Sequence, residues 1–118
     1  QWVQKQLEEN PLPESGCWLG VYFEDKIEQF ELTDNIGIGS RGGFREGERI
    51  VLDYGDGAGL SGLHAMFEKE EKFWVLTDQH STNGIRVNNE KVSRTYLKDK
   101  DVIQMGLVTM IFSCGEDE

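Results

Sequence analysis

Hydrophobic residues along this chain fall in short runs separated by glycine, asparagine and charged residues. The runs cover residues 17–23, 27–32, 35–39, 50–52, 63–68, 73–77, 85–87, 102–105 and 108–113. Short apolar or alternating runs bounded by turn-forming residues are typical of β-strands in a sandwich or barrel. The pattern therefore predicts an all-β domain.

Two local patterns refine this prediction. Residues 73–76 are all apolar, so a strand there presents apolar side chains on both faces, as expected inside a packed two-sheet core. Asn88 and Asn89 separate two short runs and favour a two-residue hairpin turn, because asparagine tolerates positive φ.

The N-terminal segment is the one place with helical spacing. Val3 and Leu7 are four residues apart, and residues 10–13, which include two prolines, end any helix there. Either a short helix or a linker fits this pattern. We divide the chain into an N-terminal extension or linker (1–16), a domain (17–114) and an acidic tail (115–118).

The charge of the chain limits the classes of partner that it is expected to bind. With 12 Lys and Arg against 22 Asp and Glu, the formal net charge is −10. Nucleic acids and anionic membranes attract basic surfaces, so neither is expected as a partner. A phosphate site in such a chain has to consist of precisely directed local donors. The first residue is not methionine, and we expect the chain to be part of a longer protein.

Only two cysteines are present, Cys17 and Cys114. Two are too few for a disulfide scaffold, and no Cys/His cluster has the spacing of a metal site. We expect two reduced, partly buried thiols in an intracellular protein, with no metal or other cofactor.

Two motifs suggest enzymes but lack the required context. Residues 37–42 match G-x-G-x-x-G, yet no apolar helical stripe follows them, as a dinucleotide-binding fold needs. Ser61 and His64 resemble a nucleophile and base without a nucleophile elbow or an orienting third group. The sequence therefore predicts a structural His64 and no enzymatic activity.

The loop from Asp78 to Gly84 is dense in side chains that donate hydrogen bonds. It is either an ordinary polar turn or a cradle for an oxyanion. A phosphate dianion has three strongly accepting oxygens, which hydroxyl, carboxamide and backbone N–H groups on neighbouring loops would satisfy.

Taken together, five motifs in order resemble the forkhead-associated (FHA) domain. They are Ile38-Gly39-Ser40-Arg41, Ser61-Gly62-Leu63-His64-Ala65, the loop 78–84, Val87-Asn88-Asn89 and the segment 97–106. The resemblance spans about residues 17–114. It implies an eleven-stranded β-sandwich of two twisted sheets (FHA/SMAD-like) that binds phosphothreonine peptides by the loops at one end.

The resemblance also implies roles for individual residues. Ser61 would hydrogen-bond the phosphate, and Thr82 would contact it by side chain or backbone. Asn83 would hold the peptide backbone, and Arg41 would supply the main charge.

Three glycine and histidine positions take structural roles by the same resemblance. Gly39 belongs to the family's Gly-Arg motif, His64 would brace the Ser61 loop, and Gly84 would permit the turn after Asn83.

Three departures from the family pattern bear on the site. Ser40 separates Gly39 from Arg41, and a shift of one residue in a strand reverses a side chain's direction. A β-bulge at Ser40 would direct the Arg41 side chain toward the site again. Without such a bulge, Arg45 would supply the charge instead of Arg41. Gly62 offers no side chain where the family often has a polar one.

The third departure is His80, which stands where the family usually has glycine. It would be a displaced donor whose charge changes between pH 5 and 8, making phosphate affinity pH-sensitive. Arg86 lies nearby and would favour an acidic residue in the partner, unless it is simply a solvated strand residue.

The sequence therefore predicts a phosphothreonine-dependent interaction module within a larger signalling or regulatory protein. The alternative is an FHA scaffold that binds its partner through another surface, independently of phosphate. In either case we expect a monomer or a partner-dependent assembly.

Overall fold

A computed structural model describes residues 1–41 and 49–115. Its elements, in chain order, are α1 (Trp2–Glu9), β1 (Cys17–Phe23), β2 (Lys26–Leu32), β3 (Ile36–Gly39), β4 (Arg49–Val51), β5 (Ala65–Glu70), β6 (Phe73–Asp78), β7 (Ile85–Val87), β8 (Glu90–Val92), β9 (Arg94–Leu97), β10 (Val102–Met105) and β11 (Val108–Cys114), with one 3₁₀ turn at Asp56–Ala58.

The described strands form two sheets. The first, sheet A, has the order β2-β1-β11-β10-β7-β8, and the second, sheet B, has the order β4-β3-β5-β6-β9. All pairings are antiparallel except that of β3 with β4. The predicted all-β sandwich is confirmed.

The core lies between the two sheets because alternate residues of each strand face inward. Leu19 and Val21 of β1 are fully buried, as are Phe67 of β5 and Leu76 of β6. These side chains belong to a single apolar cluster that includes members from both sheets. Burial of this kind contributes about 1.5–3 kcal/mol for each large side chain.

The N-terminal segment forms a short helix, one of the two structures, helix or linker, that its sequence allowed. Helix α1 packs on the outer face of sheet A, where Leu12, Tyr22 and Ile111 form a second, smaller apolar cluster. The ring of Trp2 meets that of Tyr22 edge-on at 5.2 Å. Burial raises the pKa of the Tyr22 hydroxyl. None of the described helices is long and apolar enough to cross a membrane.

The first and last strands pair from Cys17 to Tyr22, and Cys17 lies directly opposite Cys114. The structure joins these two residues in a disulfide. The prediction of reduced thiols is therefore wrong, because the pairing register brings the two sulfurs together. Since disulfides persist mainly in oxidising compartments, the cysteines no longer support the intracellular expectation.

Loops far apart in sequence meet at one end of the sandwich. The N–H of Leu52 donates to the carbonyl of Gly39 at 2.8 Å, and the N–H of Leu107 donates to that of Ala58, also at 2.8 Å. Asn83, in the loop after β6, bonds to Gly59 in the loop after β4. Residues 40–41 after β3 and the loops after β4, β6 and β10 therefore form one rim. The turns after β5 and β9 lie at the opposite end.

The disulfide predicts a reductant-sensitive stability. It spans 97 residues, and cross-links of long loops stabilise proteins by about 2–4 kcal/mol, chiefly by restricting the unfolded chain. We expect thiol titration of the unfolded, unreduced protein to find no reactive thiol. Reductant should lower the free energy of unfolding in urea by that amount, whereas the variant Cys17→Ser should not respond to reductant. Two reactive thiols before reduction would contradict the disulfide.

Candidate functional site

Ser61 and Thr82 meet at the rim although they lie on different loops. The N–H of Thr82 donates to Ser61 Oγ at 3.0 Å. The N–H of Ser61 donates to His64 Nδ1 at 3.1 Å, which holds the serine in place. Ser61 Oγ thus accepts one hydrogen bond, and its own hydroxyl proton remains available for an anion.

His64 connects the same two loops from beneath. Its side chain is fully buried, and its Nε2 lies 2.8 Å from the carbonyl oxygen of Gly84. Because Nδ1 accepts from Ser61, the proton belongs on Nε2, which donates to Gly84. The imidazole therefore takes part in two internal hydrogen bonds. This arrangement suits a brace rather than a catalytic base.

The loop from Asp78 to Gly84 is organised by Ser81. Its hydroxyl donates to the Asp78 carboxylate and accepts from the N–H of Gly84 at 2.9 Å. Gly84 has a φ of +75°, a left-handed conformation that favours glycine. Sequence reasoning did not assign Asp78 and Ser81 to the site. The signal was their three-residue spacing, which suits side-chain bonds within a turn.

Asn83 adds another bond between the same two loops, since Gly59 and Ser61 both lie between β4 and β5. Its Nδ2 donates to the carbonyl of Gly59 at 2.8 Å, and its side chain is exposed. Gly59 also has a positive φ, +74°. Within the described parts of the chain, Oδ1 of Asn83 has no hydrogen-bond donor. That oxygen can accept from the backbone N–H of a peptide lying on the rim.

Arg41 reaches the same rim despite the intervening Ser40. Strand β3 ends at Gly39, so strand alternation does not set the direction of Arg41. The N–H of Ser40 donates to the carbonyl of Ser61 at 3.0 Å, and that of Arg41 to the carbonyl of Gly62 at 3.2 Å. These bonds place Arg41 along the Ser61 loop.

Gly62 leaves room for the Arg41 guanidinium. A Cβ added at Gly62 would lie 3.3 Å from Arg41 Nε and 3.8 Å from Nη2. The guanidinium therefore lies over Gly62, the residue that follows Ser61. The lack of a side chain at Gly62 gives space to the guanidinium of Arg41, whose position is shifted by the extra Ser40.

The remaining predicted site residues lie at the edge of this arrangement or outside it. His80 is exposed with a φ of 55°, which accounts for glycine at the equivalent family position. Its effect on pH dependence stays a prediction. Arg86 is exposed, and its Nη1 donates to the carbonyl of Asn89 at 3.4 Å. Arg45 lies outside the described residues.

A cavity of about 780 Å³ lies at the opposite end of the sandwich, between the turns after β5 and β9. Its lining includes Phe73 and Tyr96 and none of the predicted site residues. Within residues 1–41 and 49–115, no group of His, Cys, Asp and Glu is arranged to hold a metal ion. The candidate site is therefore the rim.

Comparison with known proteins agrees with this architecture. The sequence model of the FHA domain family matches residues 36–106, more than half of the chain. The chain therefore belongs to the FHA domain family. No curated protein matches it significantly.

Solved FHA domains have a similar fold. One, from a structural and functional analysis of phosphothreonine-dependent FHA domain interactions, is 24% identical with a TM-score of 0.72, over 87% of this chain and 100% of that one. The FhaA FHA domain, solved with the intracellular domain of Rv3910, is 26% identical with a TM-score of 0.68, over 82% and 99%. Mycobacterium tuberculosis EmbR, solved with a low-affinity phosphopeptide, is 21% identical with a TM-score of 0.68, over 99% of this chain and 30% of that one.

The close approach of β3 to the Ser61 loop makes Gly39 sensitive to substitution. A Cβ there would lie 2.8 Å from the Ser61 carbonyl oxygen and overlap the Gly62 carbonyl. We expect Gly39→Ala to lower the free energy of unfolding by about 1–3 kcal/mol, the usual cost of overpacking. Gly57→Ala is the control, because a Cβ at Gly57 meets nothing within 4 Å. Equal stability of the two variants in urea would contradict this packing.

The bracing role of His64 predicts a loss of stability on truncation. His64→Ala leaves the N–H of Ser61 and the carbonyl of Gly84 unpaired, at about 1–3 kcal/mol for each buried group. We expect a clearly lower melting temperature. His80→Asn should change stability by less than about 0.5 kcal/mol, since His80 is exposed and asparagine tolerates its positive φ. Loss of peptide binding by His64→Ala at unchanged stability would argue against a brace.

Proposed function

We propose that this chain is a phosphothreonine-dependent protein-interaction module, part of a larger signalling or regulatory protein. The observation that carries the proposal is the convergence of Arg41, Ser61, Thr82 and Asn83 on one rim. These residues come from three loops, and direct hydrogen bonds join the loops to one another. They offer a guanidinium and a hydroxyl as donors and a carboxamide oxygen as an acceptor.

The chemistry of these donors suits a phosphate ester. The Arg41 guanidinium supplies charge and planar N–H donors, which pair well with phosphate oxygens. Ser61 Oγ accepts from the N–H of Thr82 and donates to none of the described residues, so its proton can bind a second oxygen. The Asn83 carboxamide oxygen accepts a peptide N–H beside the phosphothreonine. Each charge-assisted hydrogen bond contributes about 1.5–3 kcal/mol.

The solved FHA domains support the same function. One is described for phosphothreonine-dependent interactions, and EmbR was solved with a phosphopeptide. The FhaA domain was solved with the intracellular domain of another protein. A phosphorylated protein segment is accordingly the partner proposed here.

Binding without phosphate is the competing function. Three features of the sequence favour it: the shifted position of Arg41, the lack of a side chain at Gly62 and the net charge of −10. The packing of the Arg41 guanidinium over Gly62 explains the first two as one local arrangement. Only the net charge still favours the alternative, and an acidic chain can bind phosphate through closely directed donors.

Calorimetric titration with matched peptides tests the proposal. A phosphothreonine peptide library should contain binders whose unphosphorylated forms bind far more weakly. For such a binder, Ser61→Ala and Asn83→Ala should each cost about 1–3 kcal/mol of binding free energy, because each leaves polar groups unpaired. Ser15→Ala is the matched control: it removes an exposed serine hydroxyl close to Cys17, outside the rim loops.

Two outcomes would count against the proposal. Equal binding of phosphorylated and unphosphorylated peptides would favour the phosphate-independent alternative. Parent-like affinity of both Ser61→Ala and Asn83→Ala would place the site elsewhere.

A further inference from the structure

A lysine on the neighbouring hairpin reaches the rim beside Asn83. A Cβ added at Gly84 would lie 3.3 Å from Lys91 Cε and 4.0 Å from Lys91 Nζ. Lys91 belongs to β8, and its side chain is exposed. The ammonium group therefore lies at the end of the loop that carries Thr82 and Asn83.

Arg86 places a second cation next to Lys91. The two residues are direct partners in the pairing of β7 with β8, so both side chains lie on the outer face of sheet A. The adjacent Glu90 pairs with Val87, whose side chain is buried, and strand alternation therefore directs Glu90 to the other face.

These two cations are not neutralised by the described residues. Lys91 takes part in no ion pair there, and Arg86 donates only to the carbonyl of Asn89. Like charges directly opposite each other destabilise a strand pair. The chain has nearly twice as many acidic as basic residues, yet none of the described ones pairs with these cations. An uncompensated cation pair at the edge of a binding rim indicates an anionic ligand group.

We infer that Lys91, together with Arg86, binds an Asp or Glu side chain of the partner peptide. This inference rests on the proposed function, because the same peptide carries the phosphothreonine. Only Asn83 separates Thr82 from Gly84, so Lys91 lies within about 10 Å of the proposed phosphate contacts, a distance of about three extended residues. The acidic residue therefore belongs within about three positions of the phosphothreonine.

Sequence reasoning considered only Arg86 for this role. The structure makes Lys91 the nearer cation, because its side chain contacts the Gly84 end of the loop whereas Arg86 bonds to its own hairpin. Lys91 is then the main determinant of the preference and Arg86 an auxiliary one.

The test uses phosphothreonine peptides that differ by one residue, Asp or Asn, at each of the three positions on either side. At one position or more, the parent domain should bind the Asp peptide about fivefold more tightly, the upper range for an exposed ion pair. Lys91→Glu should abolish or reverse that preference. Arg86→Glu should reduce it, and high salt should weaken it in the parent by screening.

Lys72→Glu is the control for net charge. It makes the same charge change at an exposed lysine in the turn after β5, at the opposite end of the sandwich, and should leave the preference as in the parent. Lys91→Glu behaving like Lys72→Glu would overturn the inference, as would the absence of any Asp preference in the parent. Failure of the proposed function looks different, because phosphorylation then would not improve binding by any of the peptides.

Discussion

The site depends on one buried imidazole. His64 accepts from the N–H of Ser61 and donates to the carbonyl of Gly84, and those partners are 23 positions apart, on two loops from different strands. This bridge supports the bond between the N–H of Thr82 and the Ser61 hydroxyl from the buried side of the loops. Because the side chain is fully buried, both of its bonds are protected from exchange with water. The sandwich supplies the platform, and His64 joins the two loops into one surface.

Glycines let the backbone segments approach closely enough for this arrangement. Gly39 allows β3 to touch the Ser61 loop, and Gly62 leaves space for the guanidinium of Arg41. These close backbone contacts add to the side-chain bonds that join the loops of the rim. Side chains at its surface remain available for a ligand.

The sequence predicted strands where buried residues produce a clear run of apolar side chains. The runs at β1, β7 and β10 were predicted with the bounds that the structure has, because their apolar residues face the core. Strand β9 was not among the predicted runs, since it lies at the edge of sheet B and exposes Arg94 and Tyr96. Exposed edge strands carry a weak hydrophobic pattern, and pairing with β6 defines this one.

The site was predictable in its membership but not in its geometry. The motifs around Ser61, Asn83 and Arg41 are visible in the chain, whereas the direction of Arg41 depends on where β3 ends and on contacts with Gly62. Strand alternation does not decide the direction of Arg41, because Arg41 lies beyond the end of β3. The approach of Lys91 to Gly84 likewise comes from hairpin pairing, which no local pattern in the sequence specifies.

Because the chain is acidic, the proposed phosphopeptide binding has to depend on a small, locally basic part of the surface. The chain as a whole is strongly acidic and repels a phosphopeptide at long range. Arg41 and Lys91 nevertheless lie at the rim, on either side of the loops that carry Ser61 and Asn83. Local attraction therefore competes with global repulsion, and recognition should require the correct anion in the correct place.

Amide NMR of the labelled protein, titrated with a phosphothreonine peptide that it binds, tests this account most directly. The account predicts the largest shifts at the N–H groups of Thr82, Gly62 and Arg41 and at the Asn83 side chain, with little change for the unphosphorylated peptide. Shifts centred instead on the turns after β5 and β9, or equal shifts with both peptides, would contradict it.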